Sequence, residues 1–254
     1  MNIRIGADPE LFLVDAGGVY TSAIGIIGGT KSKPRQIRED GCAVQEDNVA
    51  VEFNIPPASE VDKFIESINF NLDYITNLVK ERGLSLSVTA SAEFPKEQLL
   101  NPKAQEFGCE PDYNCWTLRH NPRPKAANKQ LRSSGGHVHV ETKLPPFLVA
   151  RALDIFVGVP AVRLDPDTRR RELYGKAGAC RPKPYGVEYR TLSNFWLGSD
   201  ELKAWVFEQT QRAHKFLVDH SPEDGFEADS GIIQECINTS NINLVQPIME
   251  KYGV

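Results

Sequence analysis

No hydrophobic run in this 254-residue chain approaches the roughly 20 apolar residues a membrane-spanning helix needs, so no membrane anchor is expected. The first six residues, Met-Asn-Ile-Arg-Ile-Gly, lack the apolar core of a signal peptide and read directly as a strand. Cysteine is sparse. Its number is odd, five, and no C-x-x-C occurs, which argues against a disulfide framework or a cysteine-cage zinc site. These absences lead to the expectation of a reducing cytoplasm, of a cell or of an infected host. There is no excess of positive charge: the net charge of −5 argues against broad coating of nucleic acid, while leaving room for a local basic pocket. The glycines from Gly25 to Gly29 are followed by no G-K-[ST], so they are not a P-loop, and no G-x-S-x-G elbow appears. Neither an internal repeat nor a low-complexity linker is present. At 41% hydrophobic and 25% charged residues the composition is that of an ordered globular chain. The economical expectation is one α+β domain over residues 1–254.

What is present is a series of alternating segments. Residues 3–14 read as a strand, followed by a turn at Gly17-Gly18 and a short strand near Val19–Tyr20. Residues 21–35 read as a loop, 37–46 as a short strand around a turn at Asp40-Gly41, and 48–55 as a strong strand stopped by Pro56-Pro57. A long helix is expected from Glu60 to Arg82, with Ser59 as N-cap, Gly83 as C-terminal cap and an apolar stripe through Phe64, Ile68, Ile75 and Val79. Residues 84–93 read as a strand and 95–131 as a long irregular excursion of the kind that is often functional. Further helices are expected near 146–157, 200–219, 229–238 and 242–252, with a charged loop at 163–184 and a strand at 186–192.

The most informative stretch is Ser-Ser-Gly-Gly-His-Val-His-Val, residues 133–140. Alternate side chains of a strand share a face, so His137, His139 and Glu141 point one way and Val138 and Val140 the other. The pattern repeats in three other strands. Glu10 shares a face with Asp8 and Phe12, Glu52 with Asn54, and Glu188 with Arg190. If the strands join in one sheet with their apolar faces on the helices, one polar face unites Glu10, Glu52, His137, His139, Glu188 and Arg190. Carboxylates gathered in this way repel one another unless cations compensate them, and an oxygen-rich set suits Mg²⁺ or Mn²⁺ better than a closed zinc site.

A basic loop precedes the last of these strands. Arg163, Arg169, Arg170, Arg171, Lys176, Arg181 and Lys183 are interleaved with Gly175, Gly178 and Gly186. Arginine forks match phosphate and carboxylate oxygens, and a triphosphate shared between metals and these cations is the natural ligand. The isolated His120, His214 and His220 read as structural or exposed, and Trp116, Trp196 and Trp205 as core or pocket wall.

Gly135-Gly136-His137-Val138-His139 resembles the Gly-x-His-x-His strand of the glutamine synthetase superfamily, and Glu188-x-Arg190 resembles its late Glu-x-Arg strand. Asp8-Pro9-Glu10 and Val51-Glu52-Phe53-Asn54 are similar to its acidic metal strands. The ensemble is most similar to the phage-encoded carboxylate–amine ligases of that superfamily. The resemblance implies a curved, mainly antiparallel sheet with helices on its convex face, binding ATP and Mg²⁺ or Mn²⁺ on the concave one. It implies Glu10, Glu52, His137 and Glu188 as metal ligands and His139 near the nucleotide phosphates. Arg190 would bind the acyl phosphate, with Arg181, Arg169, Arg171 and Lys183 neutralising the γ-phosphate. For the base, Glu46 and Asp47 are candidates. The substrates implied are a small-molecule or peptide carboxylate and an amine, with a homo-oligomer left open. The small N-terminal domain and the ammonia-site residues of glutamine synthetases have no counterpart, which speaks against glutamine synthesis itself. Two rival readings stand beside the ligase: a zinc-dependent hydrolase built on His137-x-His139, and a catalytically silent binding module with the same fold.

Overall fold

Strict alternation from Arg4 to Asp15 gives the central strand β1 (Arg4–Asp15), whose Ile5, Ala7, Leu11 and Leu13 are buried on one side of the sheet. The computed structural model describes residues 3–105, 112–122, 127–220 and 226–254; Cys109 and parts of the irregular segment expected at 95–131 lie outside these ranges. The chain continues through β2 (Tyr20–Thr21), β3 (Arg35–Gln36), β4 (Ala43–Asp47), β5 (Ala50–Asn54), α1 (Val61–Lys80), β6 (Leu84–Ser87), β7 (Ser91–Glu93) and α2 (Pro102–Gln105). Next come β8 (Tyr113–Asn114), β9 (Arg119–His120), β10 (Leu131–Ser133), β11 (Gly136–Glu141), α3 (Pro146–Leu153), α4 (Val159–Leu164), α5 (Arg170–Leu173), β12 (Ala179–Lys183) and β13 (Gly186–Tyr189). Three helices finish it: α6 (Asp200–Asp219), α7 (Ser230–Asn238) and α8 (Ile242–Tyr252).

The main sheet runs β3-β4-β5-β1-β11-β13-β12-β8-β9, with β2 and β6 also paired to β1, and its ladders are antiparallel. This is the α+β class expected. The apolar side packs on the helices: α3 lies on β12 and β13, α1 on β6, and α6 on α1 and α3. Between them lies the main core, which holds Phe53, Phe64, Val138, Val187, Tyr189 and Trp196. A second, smaller cluster of Phe12, Val49, Ala50, Phe94, Leu99 and Ala104 forms on the opposite face. There the ribbon β7–β10 and the segment after it cover one end of the sheet.

Several boundaries differ from expectation. The strand expected over 84–93 divides, because 84–87 pairs with β1 while 91–93 pairs with β10. The N-cap of α1 is Glu60 rather than Ser59, and no side chain caps it; Gly83 closes the helix with φ +71°. The helix expected to stop at 157 continues to Leu164 through a five-residue π-helix, Asp154–Gly158. The charged loop at 163–184 contains α5 and β12, and the strand expected to reach 192 ends at Tyr189. The four described cysteines, Cys42, Cys115, Cys180 and Cys236, are buried and free. No described helix is long and apolar enough to cross a membrane.

Candidate active site

The four strands with a polar face are neighbours, in the order β5-β1-β11-β13, and their register brings the polar residues opposite one another. Glu10 pairs with Glu52, Asp8 with His137, and His139 with Glu188. Arg181 on β12 pairs with Glu188. Directly paired residues in a ladder present their side chains to the same face. One surface therefore carries Glu52, Glu10, Asp8, His137, His139, Glu188 and Arg181, with Arg190 just beyond the end of β13.

Two glycines make the turn into β11 possible. A Cβ on Gly135 would sit 2.2 Å from Nε2 of His137, and one on Gly136 would sit 2.1 Å from the Ser193 carbonyl oxygen. Gly135 also donates its N–H to Oε2 of Glu10 at 2.7 Å. The Gly-Gly pair thus leaves space for the histidine ring and lets the chain at 193–196 approach the strand.

The face divides into two groups able to hold a cation. In the first, one oxygen each of Glu10, Asp47 and Glu52 lies within 4.8 Å of the others. Glu52 is only 4% exposed and makes no hydrogen bond or ion pair among the described residues. Burial, then the charges of Asp8, Asp47 and Glu10, raise its carboxyl well above the usual range. A buried carboxyl with no donor, beside two further carboxylates, fits a hard divalent cation, which takes oxygen ligands. The second group is Asp8, His139 and Glu188, also within 4.8 Å. Asp8 Oδ1 lies 3.0 Å from His139 Nε2 and 3.3 Å from His137 Nδ1. Burial opposes ionisation of Asp8, but the two histidines hold it well below the usual carboxylate range. Burial likewise opposes the charge on His139, and Asp8 overcomes it, raising the imidazole. Its other ring nitrogen meets the Tyr185 hydroxyl.

Glu188 is a hub of cations. Arg190 contacts it closely, Lys183 Nζ lies 2.7 Å from Oε2, and Arg181 Nη1 lies 3.4 Å from Oε1. Burial pushes this carboxyl up, yet Arg190 and its neighbours bring it down to about 2. Arg190 also reaches Nδ1 of His137, at 3.2 Å, and Asp112, at 3.4 Å. Burial and then Arg190 lower the pKa of His137, which favours the neutral ring.

Beside these groups a cavity of about 440 Å³ opens, within the range of small-molecule sites; Glu10, Asp47, Asp112, His137, Arg170 and Arg190 contribute to its lining. Of three consecutive arginines only the middle one reaches it. Arg169 pairs with Glu93 at 2.7 Å, and Arg171 donates to the Ser240 hydroxyl between α7 and α8. Arg170 is buried and donates to the carbonyls of Ser134, Thr191 and Arg190 at 2.8, 2.9 and 3.3 Å. Burial brings its pKa down to about 10.

The expected residues are therefore placed as follows. Glu10, Glu52, His137, His139, Glu188, Arg190, Arg181 and Lys183 share one face. Arg169 and Arg171 turn away from the cavity, because successive residues of the short helix α5 point in different directions. Glu46 pairs with Val51 in the ladder, still contributes to the lining of the cavity, and accepts the backbone N–H groups of Gly25 and Gly28 at 2.9 Å each. Its neighbour Asp47 takes the position beside the carboxylates. Sequence reading named Arg170 only as one of seven cations in the basic loop, missed Asp112 and Tyr185, and did not single out Asp8, which stands beside His139 and Glu188. The face shared by Asp8 and Glu10 was the one signal that could have found Asp8.

Residues 127–217 match the family model described as Phage phiEco32-like COOH.NH2 ligase-type 2. No curated protein matches the chain. Among solved structures, the chain is similar to one described as a GmaS/ADP complex in conformation 1, at 11% identity and a TM-score of 0.42 over 99% of this chain and 69% of that one. It is similar to a bifunctional glutathione synthetase from Pasteurella multocida at 12% identity and a TM-score of 0.45, covering 99% of this chain and 46% of that one. A structure described as a novel glutamine synthase homolog gives 11% identity and a TM-score of 0.34, with 99% and 65% covered. The chain thus spans less than two thirds of the second and third. The matched segment, well under half of the chain, contains His137, His139, Arg181, Glu188 and Arg190.

Proposed function

We propose that the chain is an ATP-dependent ligase that joins a carboxylate to an amine through an acyl phosphate. The observation that carries this reading is the single sheet face on which two carboxylate-containing groups, Glu10/Asp47/Glu52 and Asp8/His139/Glu188, stand beside Arg190, Arg181 and Lys183. Phosphoryl transfer asks little covalent chemistry of a protein and much charge neutralisation and positioning. The match to a carboxylate–amine ligase family over residues 127–217 supports the same reading.

In this reading the two groups are the seats for Mg²⁺ or Mn²⁺, which when bound would offset the charge of the phosphate oxygens. Arg190, held by Glu188 and Asp112, orients the acyl phosphate. Arg181 and Lys183 share their charge between Glu188 and the transferred phosphoryl group. Arg170, fixed to three strand carbonyls, adds a positive field beneath the cavity without needing to move. His137, kept neutral by burial and by Arg190, can accept a hydrogen bond. Asp112 lines the cavity as an acceptor for the proton that the attacking amine must lose. Substrate carboxylate and amine are small molecules or peptides of a size that the cavity admits.

The test is calorimetric titration with a non-hydrolysable ATP analogue, with and without Mg²⁺. Metal-dependent binding by the wild-type chain, lost in Glu52→Ala, is the expected result. No binding under any condition would remove the nucleotide from the site and the ligase with it.

A further inference from the structure

Outside the strands, the loop at residues 21–35 reaches the carboxylate group. Its Lys31 ammonium lies 3.6 Å from Oδ2 of Asp47, in the group that also holds Glu10 and Glu52. Lys31 also contributes a positive charge felt by Glu52, whose carboxyl makes no hydrogen bond or ion pair among the described residues. Gly29, Thr30 and Lys31 line the same cavity as Glu10 and Asp47.

This approach is built rather than incidental. Glu46 Oε1 accepts the N–H groups of both Gly25 and Gly28, each at 2.9 Å, and so pins the loop to β4. Gly29 has φ +79°, and a Cβ there would lie 2.6 Å from the Val44 carbonyl oxygen and 2.8 Å from the Arg35 nitrogen. Only glycine lets the loop press so closely on the strand before it rises to Thr30 and Lys31. Glu46 and Asp47 are neighbours on β4 with opposite duties. One fastens the loop by its backbone, and the other receives the loop's lysine.

We propose that Lys31 is a tethered counter-cation of the Glu10/Asp47/Glu52 group, which a divalent metal ion must displace to bind there. The inference rests on the reading of that group as a cation seat. Three carboxylates in one place are costly without compensation, and an ammonium on an anchored loop lowers that cost in the metal-free protein. A lysine is suited to the exchange: it is a single compact charge on a flexible stem, and 57% of the Lys31 side chain is exposed, so it can withdraw into water. Metal occupancy and the position of this lysine are then coupled, and the coupling is reciprocal.

The experiment is Mn²⁺ titration of the full chain without nucleotide, with free ion followed by electron paramagnetic resonance, on wild type, Lys31→Met, Lys31→Arg and Asp47→Asn. The sites of interest are those lost in Asp47→Asn. Lys31→Met is expected to tighten them by roughly three- to tenfold, the size of removing one solvent-screened charge a few Å from a carboxylate. Lys31→Arg should stay within about twofold of wild type, since the charge is retained. Mn²⁺ binding that appears only in Lys31→Met would support the proposal most strongly. Asp47-dependent binding that is unchanged or weaker in Lys31→Met would overturn the role of Lys31 while leaving the cation seat standing. Absence of Asp47-dependent binding in every variant would remove the seat, and the proposal with it.

Discussion

The two glycines ahead of His137 illustrate how much chemistry depends on an absent methyl group. Gly136→Ala would drive a Cβ into the Ser193 carbonyl and the Trp196 indole, atoms that belong to backbone and core and cannot withdraw. Its thermal midpoint should fall, by the equivalent of about 1–3 kcal/mol for an overpacked interior. Gly135→Ala meets the imidazole of His137 instead, which can rotate. It is expected to cost less stability, and to weaken Mn²⁺ and nucleotide binding in calorimetry more than Gly136→Ala does in whatever fraction remains folded. Equal loss in both would show that His137 needs no fixed position. Glu52 is the opposite case, a buried carboxyl set among other carboxylates. Burial and three neighbouring carboxylates oppose its ionisation. Glu52→Gln should therefore raise the thermal midpoint of metal-free protein at neutral pH and abolish the further rise that Mg²⁺ produces in the wild type. A lower metal-free midpoint would mean that the carboxylate is satisfied in some other way.

At the scale of elements, the π-helix at Asp154–Gly158 turns a carboxylate toward the back of the sheet. Asp154 is fully buried and accepts from Trp116 Nε1 at 2.6 Å, the Tyr189 hydroxyl at 2.7 Å and the Thr191 hydroxyl at 3.3 Å. Tyr189 and Thr191 alternate along the chain with Glu188 and Arg190, so the hub behind β13 fixes the height of the residues in front. Burial, against these hydrogen bonds, raises the Asp154 pKa to about 7. An acid raised on folding binds more protons in the native state than in the unfolded one. Its contribution is most favourable below the unfolded pKa of 3.8, declines as pH rises toward 7 and is level above that. Asp154→Asn should flatten this part of the stability profile, by on the order of 3 kcal/mol between pH 4 and pH 8. Parallel urea midpoints for the two proteins across that range would refute it. The same strands explain what could be read in advance. A period of two assigns each side chain to a face, so the shared polarity of Glu10, Glu52, His137, His139, Glu188 and Arg190 was legible. Which of them meet depends on register, which belongs to pairs of strands. Hence Asp8 joins His139 and Glu188, with His137 Nδ1 3.3 Å from Asp8 and 4.0 Å from Glu188, and Asp47 joins Glu10 and Glu52. Alternation also says nothing about a short helix, where Arg169, Arg170 and Arg171 diverge to three different places.

Across the whole molecule, the sheet interleaves early and late parts of the chain. β1 takes β5 on one side and β11 on the other, and the Glu10 carbonyl accepts from Asn194 Nδ2 at 2.9 Å, 184 positions away. Arg170 joins the carbonyls of residues 134, 190 and 191 into one knot, and replacing it with alanine would leave buried acceptors without donors. Arg170→Ala should lower the urea midpoint by the equivalent of about 3 kcal/mol or more, the cost of several charged hydrogen bonds lost together. The variant should also lose Mn²⁺ binding at urea concentrations where the wild type retains it. A midpoint within error of wild type would mean water replaces the guanidinium. The position of β1 has a consequence during synthesis. β1 can pair with β5 and β6 soon after they leave the ribosome, but the edge of its Arg4–Pro9 stretch that receives β11 stays bare until β11 is made, a wait on the order of ten seconds at usual translation rates. For that interval the nascent chain presents an unpartnered edge over Arg4–Pro9, which carries Ile5 and Ala7, the kind of surface that recruits foreign strands. Slow or interrupted translation between residues 60 and 136 should therefore favour inclusion bodies over soluble product.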